Sequence, residues 1–137
     1  MTRTADNAPH PHQRTRADHA NETAEDYVEA IGELAGDGGC RVVDLARHFD
    51  VSHVTVIRIV RRLEAEGLVE TEPYQPVRLT AAGETLAAES AARHRLVLAF
   101  LLKLGVDATT AAVDAEGIEH HLSPVTLKRM RAFLAET

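Results

Sequence analysis

Toward its end the chain reads Asp114-Ala-Glu-Gly-Ile-Glu-His-His121. On a helix Glu116, Glu119 and His120 stand at i, i+3 and i+4 and share one face. Two carboxylates and an imidazole so placed form a ligand set for a hard or borderline divalent cation. The plainer reading of the same stretch is a solvated helix flank. Asp26 and Glu29, at i and i+3, make a second acidic pair that by itself reads as a solvated edge. His94, between Arg93 and Arg95, reads alone as a structural histidine.

The elements that must position these groups follow from hydrophobic spacing and breakers. Residues 1–20 mix His, Arg, Thr, Asn and Pro without periodicity and read as a disordered tail, with His10, His12 and His19 as passengers. Asn21 reads as the N-cap of a helix over about 22–35, with Tyr27, Ile31 and Leu34 as its apolar stripe and Gly36, Gly38 and Gly39 ending it. Residues 42–56 fit a helix, a tight turn through Asp50-Val51 and a second helix capped by Ser52: a helix-turn-helix. Val56, Ile59, Val60 and Leu63 then face inward. His53, Thr55, Arg58, Arg61 and Arg62 are left outside, as reading or phosphate contacts for DNA. Val54 and Ile57 fall near the same side, either touching thymine methyls or completing the core. Leu68–Glu72, a turn at 73–76 and Val77–Leu79 read as the wing hairpin, with Arg78 a phosphate contact.

Thr80 caps a long helix over 81–104 whose apolar surface exceeds the needs of one small winged domain. Ser123-Pro124 starts a last helix over 124–135. The division expected is a 1–20 tail, a 21–80 winged helix-turn-helix domain, an 81–104 connecting helix and a 105–137 helical region for dimerisation and metal. The fold class is mainly α.

Composition narrows the function classes. The chain has 137 residues with three Phe, two Tyr and no Trp, so its core is aliphatic. One cysteine, Cys40, excludes an internal disulfide and suits a reducing cytoplasm. No apolar run approaches the ~20 residues that cross a bilayer. A net charge of −6 argues weakly against nucleic acid, but residues 54–62 hold three arginines and no acid.

Taken together, Glu25-Asp26-Tyr27-Val28-Glu29, the helix-turn-helix at 44–63, Arg93-His94-Arg95-Leu96, Leu101–Val106 and Asp114–Ser123 resemble the DtxR/MntR group of metal-dependent repressors, and its manganese-responsive branch in particular. The likeness covers roughly 22–135. It implies two neighbouring metals. One would be held by Asp26, Glu119, His120 and the carbonyl of Glu116. The other would be held by Glu29, His94 and the carboxylates of Glu116 and Glu119. His121 matches the motif without being an expected ligand. The iron-responsive branch carries a Met at the Asp26 position, a Cys at the Glu116 position and an extra SH3-like domain, none of which stands here.

Four carboxylates and two imidazoles without a thiol suit Mn²⁺ over thiophilic metals, independently of the resemblance. The expectation is a homodimeric, manganese-responsive regulator of double-stranded operator DNA, with two Mn²⁺ per subunit, repressing manganese uptake genes. It takes no membrane partner and no small organic substrate. The rivals are an iron- or zinc-responsive repressor of the same family and a metal-independent winged-helix regulator. An enzymatic di-metal oxidase fails on spacing, because Gly117 and Ala91 stand where its Glu-x-x-His pairs need Glu.

Overall fold

The computed structural model of the chain describes residues 11–36 and 38–136, with side chains from His19 onward except Asp37. The elements run α1 (Pro11–Glu33), α2 (Val42–Phe49), α3 (His53–Ala65), β1 (Val69–Glu70), β2 (Arg78–Leu79), α4 (Ala81–Leu104), α5 (Ala108–Ile118), a 3₁₀ turn (Glu119–His121) and α6 (Pro124–Ala135). The fold is mainly α with a small antiparallel wing.

Three expected caps form. Ser52, Thr80 and Ser123 each accept a backbone N–H in the first turn of α3, α4 and α6. Asp50 turns α2 into α3 in the left-handed conformation at φ 54°. Gly105 stops α4 at φ 98°, a conformation that suits glycine.

The first helix departs from expectation. It begins at Pro11, so residues 11–20 of the expected tail are helical, and Asn21 lies inside the helix rather than capping it. Proline is tolerated in a first helical turn, and α1 is anchored from outside by the Arg62 guanidinium, which donates to the Ala20 carbonyl at 3.1 Å. Residues 1–10, with His10, lie outside the described residues, as does the side chain of His12.

The wing is also shorter than expected. Val69 pairs with Leu79 and Glu70 with Arg78, while Val77 forms an isolated bridge to Cys40. Tyr74 stands exposed near the wing tip with φ 64°.

Two apolar clusters carry the structure. One joins Ala24, Tyr27 and Ile31 of α1 to Leu45, Val56, Val60, Leu63 and Val69 of the winged region. The other packs Val97 of α4 against Ala115, Leu127 and Met130. Each fully buried aliphatic side chain contributes about 1.5–3 kcal/mol relative to exposure. Helix α1 packs on α4 and the 3₁₀ turn as well as on α2 and β2, so it belongs to both halves. Among the described residues no helix is long and apolar enough to cross a membrane.

Gly83, buried in the first turn of α4, lets that helix pass the Leu68 carbonyl: a Cβ there would lie 2.1 Å from the Leu68 oxygen. Gly83→Ala is expected to cost about 1–3 kcal/mol by overpacking. A thermal melt equal to wild type would show that the junction yields without cost.

Candidate metal centre

Three segments bring the acidic and imidazole groups together. Helix α1 carries Glu22, Glu25, Asp26 and Glu29 at spacings of three, one and three, wrapping one side of the helix. Helix α4 carries Ser90, Arg93 and His94 at i, i+3 and i+4. Helix α5 ends at Ile118 and tightens into the 3₁₀ turn, which turns Glu119 and His120 inward. Their side chains are 2% and 1% exposed, whereas Glu116, one turn earlier, stays 67% exposed.

His120 lies at the middle of the cluster. Its Nδ1 faces Glu25 Oε1 at 3.1 Å, and Glu25 is in turn held by the Arg93 guanidinium. Its Nε2 lies 3.1 Å from Asp26 Oδ1 and 3.3 Å from Glu119 Oε1. Despite those distances Nε2 is buried and meets hydrogen-bond geometry with neither oxygen. A buried nitrogen left so is costly unless something else satisfies it. Adjacent ligands about 2.2 Å from one octahedral cation stand roughly 3.1 Å apart. His120 therefore stands at the spacing of a neighbouring ligand from Asp26 on one side and from Glu119 on the other. Glu25 holds the far side of the His120 ring, the place a carboxylate takes behind a metal-binding histidine.

On the other side of Glu119, His94 Nδ1 lies 2.5 Å from Glu119 Oε2 and 3.5 Å from Glu116 Oε2. His94, Glu116 and Glu119 form a three-residue group with ligand atoms within 4.8 Å of one another. Glu29, expected in this group, instead accepts from the Ser90 hydroxyl. It still lines a polar hollow of about 90 Å³ together with Asp26 and Glu116. The Glu119 carboxylate bridges the two groups, one oxygen toward each imidazole.

Electrostatics follow from burial and crowding. Burial pushes the Glu119 carboxyl above the usual carboxylate range, against the pull of His94 and His120. Burial raises Glu29 too, with the Ser90 hydrogen bond opposing and the Glu116 and Asp26 charges adding. Burial also opposes ionisation of Glu25, but hydrogen bonds from His120 and Arg93 prevail and hold it below the ordinary value. For His120 burial favours the neutral ring, yet Asp26 and Glu25 outweigh it and lift its pKa to about 10. Without metal the imidazolium is the local counter-charge.

Of the six expected ligands, Asp26 and Glu119 flank His120, Glu116 and Glu119 flank His94, and Glu29 turns to Ser90; sequence reasoning passed over Glu25, Arg93, Ser90 and Glu22 as neighbours of the cluster. The signal for the first and last was available: four acids at that spacing in α1 exceed what a solvated edge needs.

Of the expected DNA-facing residues, His53, Arg58, Arg61 and Arg78 are exposed, and Ser52 is tied to Thr55 as the cap. Arg62 is turned back along α3, with Nε 3.3 Å from Glu66 and a terminal nitrogen on the Ala20 carbonyl. Val54 and Ile57 lie outside, at 76% and 38% exposure, rather than completing the core.

The chain matches two family descriptions: "Iron dependent repressor, N-terminal DNA binding domain" over residues 19–77 and "Iron dependent repressor, metal binding and dimerisation domain" over residues 80–137. It is 46% identical over 122 residues to the transcriptional regulator MntR of Escherichia coli O157:H7, covering 88% of this chain and 79% of that protein. The MntR regulator of Lysinibacillus sphaericus is 38% identical over 107 residues, covering 77% of each. A manganese-dependent transcriptional repressor solved in complex with manganese superposes with a TM-score of 0.69 at 30% identity, covering 83% of this chain and 53% of that one. The manganese regulator SloR gives a TM-score of 0.70 at 30% identity, covering 83% and 54%. The chain thus spans about half the length of those solved chains.

A cation at Nε2 must displace the His120 proton. Because the folded pKa is raised, that proton is present through neutral pH and leaves only near 10. Apparent Mn²⁺ affinity is therefore expected to rise by about tenfold per pH unit across the neutral range, with proton release in calorimetry. A pH-independent affinity would contradict this arrangement.

Proposed function

Because the chain belongs to the iron-dependent repressor family, alongside the MntR transcriptional regulators, we propose that it is a manganese-responsive DNA-binding repressor acting as a homodimer on double-stranded operator DNA. The observation that carries the reading is the approach of Asp26 and Glu119, from distant parts of the chain, to a buried His120 Nε2 that has no well-directed hydrogen bond to either.

In this reading Asp26, Glu119, His120 and the Glu116 carbonyl hold one Mn²⁺. Glu29, His94, Glu116 and Glu119 hold a second. Ser90 releases Glu29 when the second group assembles. Two divalent cations supply a formal +4 against the four ligand carboxylates, and the carboxylate-rich, thiol-free set favours manganese over softer metals. Fe²⁺ or Zn²⁺ as the physiological effector is the alternative the same residues allow.

Residues 21–80 act as the DNA-binding head, 81–104 as the connecting helix and 105–137 as the region for dimerisation and metal. Because α1 belongs to the head and also carries Asp26 and Glu29, holding those residues against His120 fixes the head on the dimer core. Two heads so fixed match two half-sites in successive major grooves. His53, Thr55 and Arg58 meet the groove, and Arg61 and Arg78 meet phosphate. Ser52 and Arg62 serve mainly to set α3. The chain works in the cytoplasm on genes of manganese uptake, and it catalyses no reaction.

The test is operator affinity with and without Mn²⁺ for wild type and Glu119→Ala. Wild type is expected to gain about 5–150-fold from metal and the variant almost none. Equal binding in all four cases would overturn the proposal. A larger gain with Fe²⁺ or Zn²⁺ than with Mn²⁺ would keep the switch but change its effector.

A further inference from the structure

Glu22 stands one helical turn before Asp26, so both side chains lie on the same face of α1. Ligand atoms of Glu22, Asp26 and His120 lie within 4.8 Å of one another. That fits a shared cation, because opposite ligands about 2.2 Å from it are roughly 4.4 Å apart. An acidic group at a helix edge needs more than proximity to be a site. The second observation is the His120 side chain, 1% exposed, with Nε2 aimed at this group and lacking a hydrogen bond. Glu22 is also held in place: its Oε2 lies 3.2 Å from His121 Nε2. The His121 ring meets that of His19 edge-on at 6.1 Å. His121 therefore has work beside a ligand rather than as one.

We propose that Glu22 is a further carboxylate ligand of the cation held by Asp26, Glu119 and His120, set in position by His121. The inference rests on the metal-centre reading and extends it. It brings the first cation a third carboxylate, and it draws a more N-terminal turn of α1 into the switch. It also gives the adjacent histidines separate roles, His120 binding and His121 orienting. Arg62 grips the carbonyl of Ala20, two residues before Glu22, so ligation at Glu22 and the posture of α3 share one helix.

The experiment compares wild type, Glu22→Gln and His121→Ala in Mn²⁺ calorimetry, Mn²⁺ electron paramagnetic resonance and metal-free thermal melts. Glu22→Gln keeps size and hydrogen-bonding capacity but removes the charge. It is expected to weaken the tighter Mn²⁺ site by about 10–100-fold and to change the bound-Mn²⁺ spectrum, while the metal-free melt stays near that of wild type. His121→Ala is expected to weaken the same site less and keep the wild-type form of the spectrum. Unchanged affinity and spectrum in Glu22→Gln, with wild type binding Mn²⁺ normally, would overturn the role of Glu22 alone. Equal losses of metal-free stability in both variants without a change in affinity would also overturn it, reducing Glu22 to a partner of His121. Absence of Mn²⁺ binding in wild type would overturn the metal centre itself.

Discussion

A buried imidazole nitrogen facing two carboxylates is the constraint on which the rest of the molecule depends. His120 is nearly inaccessible, and its neighbours Glu25, Asp26 and Glu119 are acids. Charges removed from water are tolerated when paired and hydrogen-bonded, and are costly when they are not. Arg93 neutralises Glu25, but no second cationic side chain is paired with Asp26 or Glu119 among the contacts described, where imidazoles are the partners. Burial pushes the Glu119 and Glu29 carboxyls above the usual carboxylate range, and against the opposing effect of burial Asp26 and Glu25 lift the His120 pKa to about 10. A divalent cation bound among these groups would supply positive charge at one point where the carboxylates crowd. The same oxygen-rich, thiol-free donor set that crowds like charges is the kind that suits a hard cation.

The placement of the cluster turns local electrostatics into a statement about shape. Helix α1 is packed into the winged core through Ala24, Tyr27 and Ile31, while its acids face α4 and the 3₁₀ turn. At that second contact the charged groups meet beside apolar packing, since Leu86 of α4 lies against the cluster that holds Ala24, Tyr27 and Ile31. In the proposed reading an ion there would strengthen that contact and leave the apolar contact to the wing as it is. The head and the C-terminal region each have their own apolar cluster, and the charged groups gather where α1 meets α4 and the 3₁₀ turn.

Much of this was legible in the residue order. The caps at Ser52, Thr80 and Ser123, the stop at Gly105 and the inward set Val56, Val60 and Leu63 all depend on local spacing, which sequence displays directly. The wing strands were read too long, because a two-residue ladder leaves no alternation by which to fix its ends. The start of α1 was misplaced because its N-terminal turns are polar and owe their anchorage to Arg62, a contact 42 residues away in sequence. Arg93 and Ser90 were passed over for a similar reason: their partners, Glu25 and Glu29, lie more than 60 residues distant. Glu29 shows the limit of position-by-position reasoning. Its place in the helix matched expectation, while the direction of its carboxylate was decided by a serine hydroxyl across the interface.

The central claim is that the ion cross-links α1 to the turn bearing Glu119 and His120. Amide hydrogen exchange followed along the whole chain, with and without Mn²⁺, tests it most directly. The account predicts that protection rises together in α1, around Asp26, and in residues 116–121, with little change in the apolar core of the wing. Protection that rises at 116–121 while α1 exchanges as before would mean the ion binds without joining the two halves, and would contradict the account.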